Sequence, residues 1–372
     1  FVPDGSKVTV TRDVIRTQSC NRCHDPLALH GGSRRSMELC VLCHTPQTVD
    51  PDTGNTVDMP VMTHKIHRGK SLPSVRAGKP YQIIGYNQTV MDYSEVVFPA
   101  DVRNCVVCHE QNTGAAQPQA YLKPNRAACG ACHDNVNFAT GEGHADLPQV
   151  SDNQCANCHV PQGELEFDAS IRGAHTIPRF SRDLPGVVFE ILAVNDGVAG
   201  KRPTVSFSVK DKSGRPIPLS QMNRLNVILA GPTSDYATYV SEDVRGADGT
   251  TDGRYWWTFQ TPIPAGAKGS YAIEIEGRRE IKLLEGTKRE MTARDAGVNK
   301  VFTFAVDGSK PESRRTVVAI TKCNSCHYSL SFHGDNRNAI EACVICHNPL
   351  KTAGNLTVDF RTMIHRIHTG EE

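Results

Sequence analysis

Hydrophobic and polar positions alternate cleanly in only one part of this chain of 372 residues. Between Thr176 and Lys322 the chain carries no Cys and no His. Six segments there run apolar or with period two: residues 187–194, 204–209, 225–229, 255–259, 271–275 and 301–306. Successive strand side chains point to opposite faces, so such segments predict half-buried strands. Asp196-Gly197, Ser213-Gly214 and Asp252-Gly253 supply turn residues between them. The pattern predicts an all-β domain over residues 181–310, a Greek-key sandwich or split barrel. Tyr255-Trp256-Trp257 holds both tryptophans. It reads as a core strand, with an aromatic platform for a flavin as the sharper alternative.

The flanking stretches show little periodicity. Residues 7–11 read as a strand-like lead-in, and short helices are expected around residues 62–67 and 125–133. Between them lie loops rich in Gly, Pro, Asn and Asp. A different pattern organises these stretches. Cys-x-x-Cys-His recurs seven times and uses all 14 cysteines: Cys20/Cys23/His24, Cys40/Cys43/His44, Cys105/Cys108/His109, Cys129/Cys132/His133, Cys155/Cys158/His159, Cys323/Cys326/His327 and Cys343/Cys346/His347. This is the attachment signature of haem c. Two thiols add to the porphyrin vinyl groups, and the adjacent His reaches the iron from the same loop. Structural zinc also uses Cys-x-x-Cys pairs, but it takes two pairs or added His per site, and seven pairs do not divide that way. Disulfides across a two-residue gap close almost no chain and make poor staples.

Composition changes the picture in two ways. Aromatic content is 6%, lean for a chain of this length, and haem plates would make up the apolar deficit. The formal net charge is +1, which gives no polybasic case for nucleic acid. Each oxidised bis-His haem with ionised propionates adds about one negative charge, so the loaded protein should be acidic. No run of about 18 apolar residues predicts a membrane span. Haem attachment of this kind takes place outside the cytoplasm. With no signal peptide in view, the chain is expected to belong to a longer, exported protein.

The chain repeats itself at an offset of 303. Asp307-Gly308-Ser309-Lys310 echoes Asp4-Gly5-Ser6-Lys7, and Cys323, Cys326 and His327 echo Cys20, Cys23 and His24. His333-Gly334 echoes His30-Gly31, and Cys343, Cys346 and His347 echo Cys40, Cys43 and His44. After a two-residue deletion, His365 and His368 answer to His64 and His67. Three regions are therefore expected: a five-haem domain over 1–180, the β domain over 181–310, and the start of a second haem domain over 311–372. A preceding β domain and a continuation past residue 372 are expected as well.

Eight histidines lie outside the motifs: His30, His64, His67, His144, His175, His333, His365 and His368. The first five motifs meet five spare histidines, so every iron there can be bis-His. The last two motifs meet three. His64 and His67 sit one helical turn apart, so they cannot bind one iron from opposite faces and should serve two neighbouring haems. The same holds for His365 and His368. Filled coordination suits multistep electron transfer. Catalysis at iron would need an open site. The alternative is a multihaem reductase of the nitrite or hydroxylamine type, with one catalytic haem.

Five motifs, a β domain, then further motifs, with Cys-x-x-Cys-His-x5-His-Gly and His-x-x-His in both halves, resemble the OmcA/MtrC/MtrF-type outer-membrane decahaem cytochromes. The resemblance implies a cell-surface protein attached to the outer membrane face, with the periplasm as second choice. It implies electron transfer to metal oxides, metal chelates or flavins. Redox partners would be a porin-cytochrome complex or other multihaem cytochromes, and flavin would bind transiently. It also implies a staggered-cross layout. There the haems at Cys20/Cys23 and Cys323/Cys326 join two halves. Those at Cys40/Cys43 and Cys343/Cys346 branch towards β domains, and the haem at Cys155/Cys158 ends the chain. Some relatives carry a β-domain disulfide that this chain has no Cys to make.

Overall fold

A computed structural model describes residues 2–8, 12–109 and 113–370. It divides into two compact units: residues 1–177 with Ser325–Tyr328, and residues 178–324 with Ser329–Glu372. Residues 7 and 8 lie in no strand, and the rest of the expected lead-in, residues 9–11, falls outside the described residues.

The first unit is built of short helices and loops. Its longest helix, Met59–Arg68, starts with Pro at its first turn, where a missing amide costs nothing, and stops at Gly69. Gly69 has φ 36°, and a Cβ there would stand 2.4 Å from the Val96 carbonyl, so only glycine fits. The helix Arg126–Cys132 is capped by the Asn125 side chain, which accepts from the Ala128 amide at 2.8 Å. These two helices pack together. The unit also holds an antiparallel hairpin that the sequence did not announce, β1 (Gln82–Ile84) and β2 (Val90–Asp92). Beneath it Leu72, Tyr81 and Ile83 form a small buried cluster with Met62 and Ile66 at its edge.

The second unit centres on a two-sheet antiparallel sandwich. One sheet runs β3 (Val188–Asn195), β4 (Thr204–Lys210), β8 (Arg254–Thr258) and β7 (Asp248–Gly249) in the order β3-β4-β8-β7. The other holds β5 (Arg224–Gly231), β6 (Thr238–Asp243), β9 (Ser270–Leu283), β10 (Met291–Ala296) and β11 (Lys300–Ala305). Its order is β10-β9-β5-β6, and β11 pairs the first half of β9. Phe207, Val209, Leu225, Val227, Ile273 and Ile275 are among the buried residues between the sheets. Tyr255 lies in that core and donates its hydroxyl to the Ile217 carbonyl at 2.9 Å. Trp257 packs against the core and donates its Nε1–H to Glu242 at 2.7 Å, while Trp256 between them faces out.

The opposite face of β9 is buried too. Ile228, Ala230 and Ala272 pack with Ile340, Val344 and Ile345 of the helix Ile340–Cys346. Residues 329–372 therefore form one compact body with the β sheets. Among the described residues no helix is long and apolar enough to cross a membrane.

Candidate haem sites

Each motif folds as a single helical turn. The amide of the motif histidine donates to the carbonyl of the first cysteine: His24 to Cys20 at 2.9 Å, His44 to Cys40 at 3.0 Å, His109 to Cys105 at 2.9 Å, His133 to Cys129 at 2.9 Å, His159 to Cys155 at 2.9 Å and His347 to Cys343 at 3.0 Å. The remaining motif, Cys323/Cys326/His327, closes the helix Ile320–His327. One turn brings the cysteine side chains and the imidazole to the same end of the element. All 14 cysteines are free thiols. Among the described residues no three His, Cys, Asp or Glu side chains converge as a metal cage, which is what a zinc reading would need.

The imidazoles meet in pairs. His24 faces His67 with ring centroids 6.1 Å apart, and His30 faces His44 at 6.0 Å. His64 faces His109 at 6.3 Å, His133 faces His175 at 6.3 Å, and His144 faces His159 at 6.1 Å. In the second unit His333 faces His347 at 6.1 Å. Every pair joins one motif histidine to one spare histidine. Two imidazoles that each sit about 2 Å from one metal place their centroids about 6 Å apart, because each centroid lies about 1 Å behind its nitrogen. The spacing fits an iron held between the two rings.

Local structure aims these rings. His64 and His67 lie on the Met59–Arg68 helix and take different partners, His109 and His24. His30 has φ 50° and Gly31 φ 72°, and a Leu29–Arg34 bridge closes the turn that projects the ring. The repeat builds the same device, with His333 at φ 54°, Gly334 at φ 72° and a Phe332–Arg337 bridge. His365 and His368 sit on the helix Phe360–Thr369. Among the described residues no imidazole stands at this spacing from His365. His327 is held from its other nitrogen, Nδ1 donating to the Pro99 carbonyl at 2.9 Å, and Cys326 Sγ lies 3.2 Å from the Arg22 carbonyl.

The Nδ1 contacts fix the tautomer. His44 donates to Val57 O at 2.8 Å, His67 to Thr63 O at 2.8 Å and His175 to Ile171 O at 2.7 Å. His144 donates to Leu147 O at 2.9 Å, His159 to Ala169 O at 3.0 Å, His347 to Val358 O at 2.9 Å and His368 to Ile364 O at 2.8 Å. A carbonyl only accepts, so Nδ1 carries the proton and Nε2 keeps its lone pair for a metal. Burial acts the same way. It pushes His64, His67 and His133 below the usual histidine range and His109 down to about 4, which keeps the rings neutral.

Apolar side chains beside the motifs complete the fit. Leu39, Val41 and Leu42 flank Cys40 and Cys43, Val106 lies inside the third motif, and Val160 follows the fifth; all are exposed. Such a run of apolar surface fits a macrocycle laid against it. The sequence named these pairs of thiols and these histidines. It did not reveal which spare ring meets which motif, because that depends on distances across loops.

A family model described as outer membrane cytochrome MtrC/MtrF-like, domains II/IV, matches residues 12–171 and 315–372. The multiheme cytochrome MtrC of Shewanella baltica (strain OS185) is 29% identical over 158 residues, which are 42% of this chain and 19% of that protein. The outer membrane decaheme cytochrome OmcA shares the fold with a TM-score of 0.70 at 22% identity, over 94% of this chain and 56% of its own. MtrC from Shewanella baltica OS185 does so with a TM-score of 0.70 at 20% identity, over 99% and 62%. This chain thus spans about a fifth of the curated relative and somewhat over half of each solved chain.

Proposed function

Because this chain belongs to the outer membrane cytochrome MtrC/MtrF-like family, we propose that it conducts electrons at the cell surface through covalently held, bis-His haem c groups. The observation that carries the reading is the set of six imidazole pairs with centroids 6.0–6.3 Å apart, each with a motif cysteine pair alongside. Haem iron supplies reversible one-electron exchange between its ferric and ferrous states. The chain's own residues do the rest. The cysteines Cys20, Cys23, Cys40, Cys43, Cys105, Cys108, Cys129, Cys132, Cys155, Cys158, Cys323, Cys326, Cys343 and Cys346 anchor the seven groups. A motif imidazole and a spare imidazole would together hold each iron, which would leave no position for a substrate. The repeat assigns His368 the role of His67 and His365 that of His64.

The Met59–Arg68 helix carries ligands for two sites, Cys20/Cys23 and Cys105/Cys108, and so fixes their spacing rigidly. Electrons would leave to metal oxides, metal chelates or transiently bound flavins, and arrive from a porin-cytochrome complex or another multihaem cytochrome. The test is the haem-loaded chain. Intact mass should show seven covalent haems, and the oxidised protein's electron paramagnetic resonance spectrum should be low-spin throughout. Fewer haems, or a stoichiometric high-spin signal, would overturn the reading and favour a catalytic iron.

A further inference from the structure

The six imidazole pairs differ in how their Nδ1 atoms are held. At Cys155/Cys158 both rings donate to backbone carbonyls, His144 to Leu147 and His159 to Ala169. The Cys20, Cys40, Cys129 and Cys343 sites each have one ring held this way, through His67, His44, His175 and His347. The Cys105/Cys108 site has none. His64 Nδ1 and His109 Nδ1 are both buried without a hydrogen-bond partner. For His64 the Pro60 carbonyl, one turn back, is near enough to act on the ring but outside hydrogen-bond geometry. Tyr121 stacks near His109, with centroids 5.4 Å apart at 35°, and covers that ring with a face that offers Nδ1 no acceptor in plane.

An Nδ1–H that donates to a carbonyl makes the imidazole more basic at Nε2 and favours the ferric iron. An imidazole without that acceptor gives less charge to the metal and favours the ferrous state. Burial adds in the same direction, because the ferric centre carries the extra positive charge that a dry site disfavours. Arg172 adds again: it acts on Cys105 as a nearby positive charge and donates to the Tyr121 hydroxyl at 3.4 Å. The Arg103 guanidinium near Cys105 is already paired with Asp101 at 2.6 Å and brings no net charge.

We propose that His64 and His109, buried and with neither Nδ1 in hydrogen-bond geometry to an acceptor, make Cys105/Cys108 the site of highest reduction potential in the first unit. His144 and His159, both held, make Cys155/Cys158 the counterpart at the low end. An electron entering the unit therefore comes to rest at the site of His64, one helical turn from His67 of the Cys20/Cys23 site. This rests on the bis-His haem reading above and adds an order of filling to it.

The experiment is stepwise reduction of the haem-loaded full chain, with each haem's reduced fraction followed through its methyl resonances. The haem at Cys105/Cys108 should fill first, with at least about tenfold preference over the haem at Cys155/Cys158, equivalent to ~59 mV for one electron. If any other haem of the first unit fills first, the proposal fails. Arg172→Gln separates charge from ligand. If the order survives in that variant, His64 and His109 set it; if Cys105/Cys108 loses first place, the charge set it and the proposal is overturned. Seven low-spin haems filling in another order would sink this inference alone, whereas a missing or high-spin haem at Cys105/Cys108 would sink the haem reading with it.

Discussion

In the β sandwich, Val205, Phe207, Val209, Leu225, Val227, Phe259, Ile273 and Ile275 lose all contact with solvent in one cluster. Around the first motifs, Leu29 stays 52% exposed and Leu42 71%. Both regions are rich in aliphatic side chains, yet only one closes a core. The sandwich pairs two alternating faces, and each strand's inner residues find partners on the facing sheet. Among the described residues the first unit has no such pair of facing sheets. Among the described residues it has a small core of Leu72, Tyr81 and Ile83 with their neighbours. The apolar surface by the motifs is complementary to a flat cofactor, and chain connectivity alone does not bury it. One unit encodes its own interior, and the other encodes sockets.

The largest expected effect breaks the comparison outright. Production of the same chain without haem attachment should leave the first unit unfolded and the sandwich intact. Hydrogen exchange would show residues 20–177 exchanging at nearly unfolded rates, while β4, β5 and β9 stay protected. Strong protection in both regions would mean that the first unit closes a core without cofactor.

A second comparison sets polar against apolar cement. In the first unit Lys65 Nζ reaches Asp134 at 2.9 Å, and Asp134 also accepts from the Ser74 amide at 3.0 Å and its hydroxyl at 2.6 Å. This network ties the helix of His64 to the loop after His133. Burial alone would raise the Asp134 pKa, but the bonds from Lys65 and Ser74 outweigh it and hold the carboxyl below its ordinary value. Its stabilisation is thus present above the ordinary aspartate range and lost as pH falls through the lowered value. Asp134→Ala strands a largely buried ammonium and should cost about 3 kcal/mol. Phe207→Ala should cost about 3–5 kcal/mol in the sandwich. The two separate by spectrum in the haem-loaded chain. Asp134→Ala should disturb the absorption of the haems served by His64 and His133, and Phe207→Ala should leave every haem band in place. Equal spectral silence in both would show that the ion pair does not position ligands.

What the sequence revealed divides along the same line. Six strands of the sandwich announced themselves because alternation is what a half-buried strand requires. β6 and β10 did not: Thr238–Asp243 and Met291–Ala296 are polar edge strands whose residues fit a strand only in place beside β5 and β9. β9 runs on to Leu283 through Arg278, Arg279 and Glu280, which no hydrophobic pattern marks. In the first unit the chemistry was legible, since cysteine spacing follows the vinyl groups. Its local structure was not, since β1 and β2 form around loop contacts such as Asp50 to the Ile84 amide at 2.8 Å. That His64 and His67 should face different partners followed from their spacing. That their partners are His109 and His24 needed the fold.

The smallest expected effect lies where the sandwich stops resembling a simple core. Glu274 and Glu276 point from β9 away from Ile273 and Ile275, and both are fully buried. Glu276 accepts from Arg224 at 3.0 Å and Arg337 at 2.6 Å. Neither Glu274 oxygen is in hydrogen-bond geometry with a donor. Burial pushes its carboxyl well above the usual glutamate range, and the charge of Glu276 adds to the push. The folded chain therefore holds a proton that the unfolded chain releases above the ordinary glutamate pKa, and stability should fall as pH rises past it, by about 1 kcal/mol per pH unit. Glu274→Gln keeps the shape, stays neutral and should remove that slope. Denaturation of the haem-loaded wild type and variant should coincide below the ordinary glutamate range and diverge above it, the variant being the more stable. Parallel curves at all pH values would mean that Glu274 ionises in the fold, with the Arg337 guanidinium shared between two carboxylates instead of serving Glu276 alone.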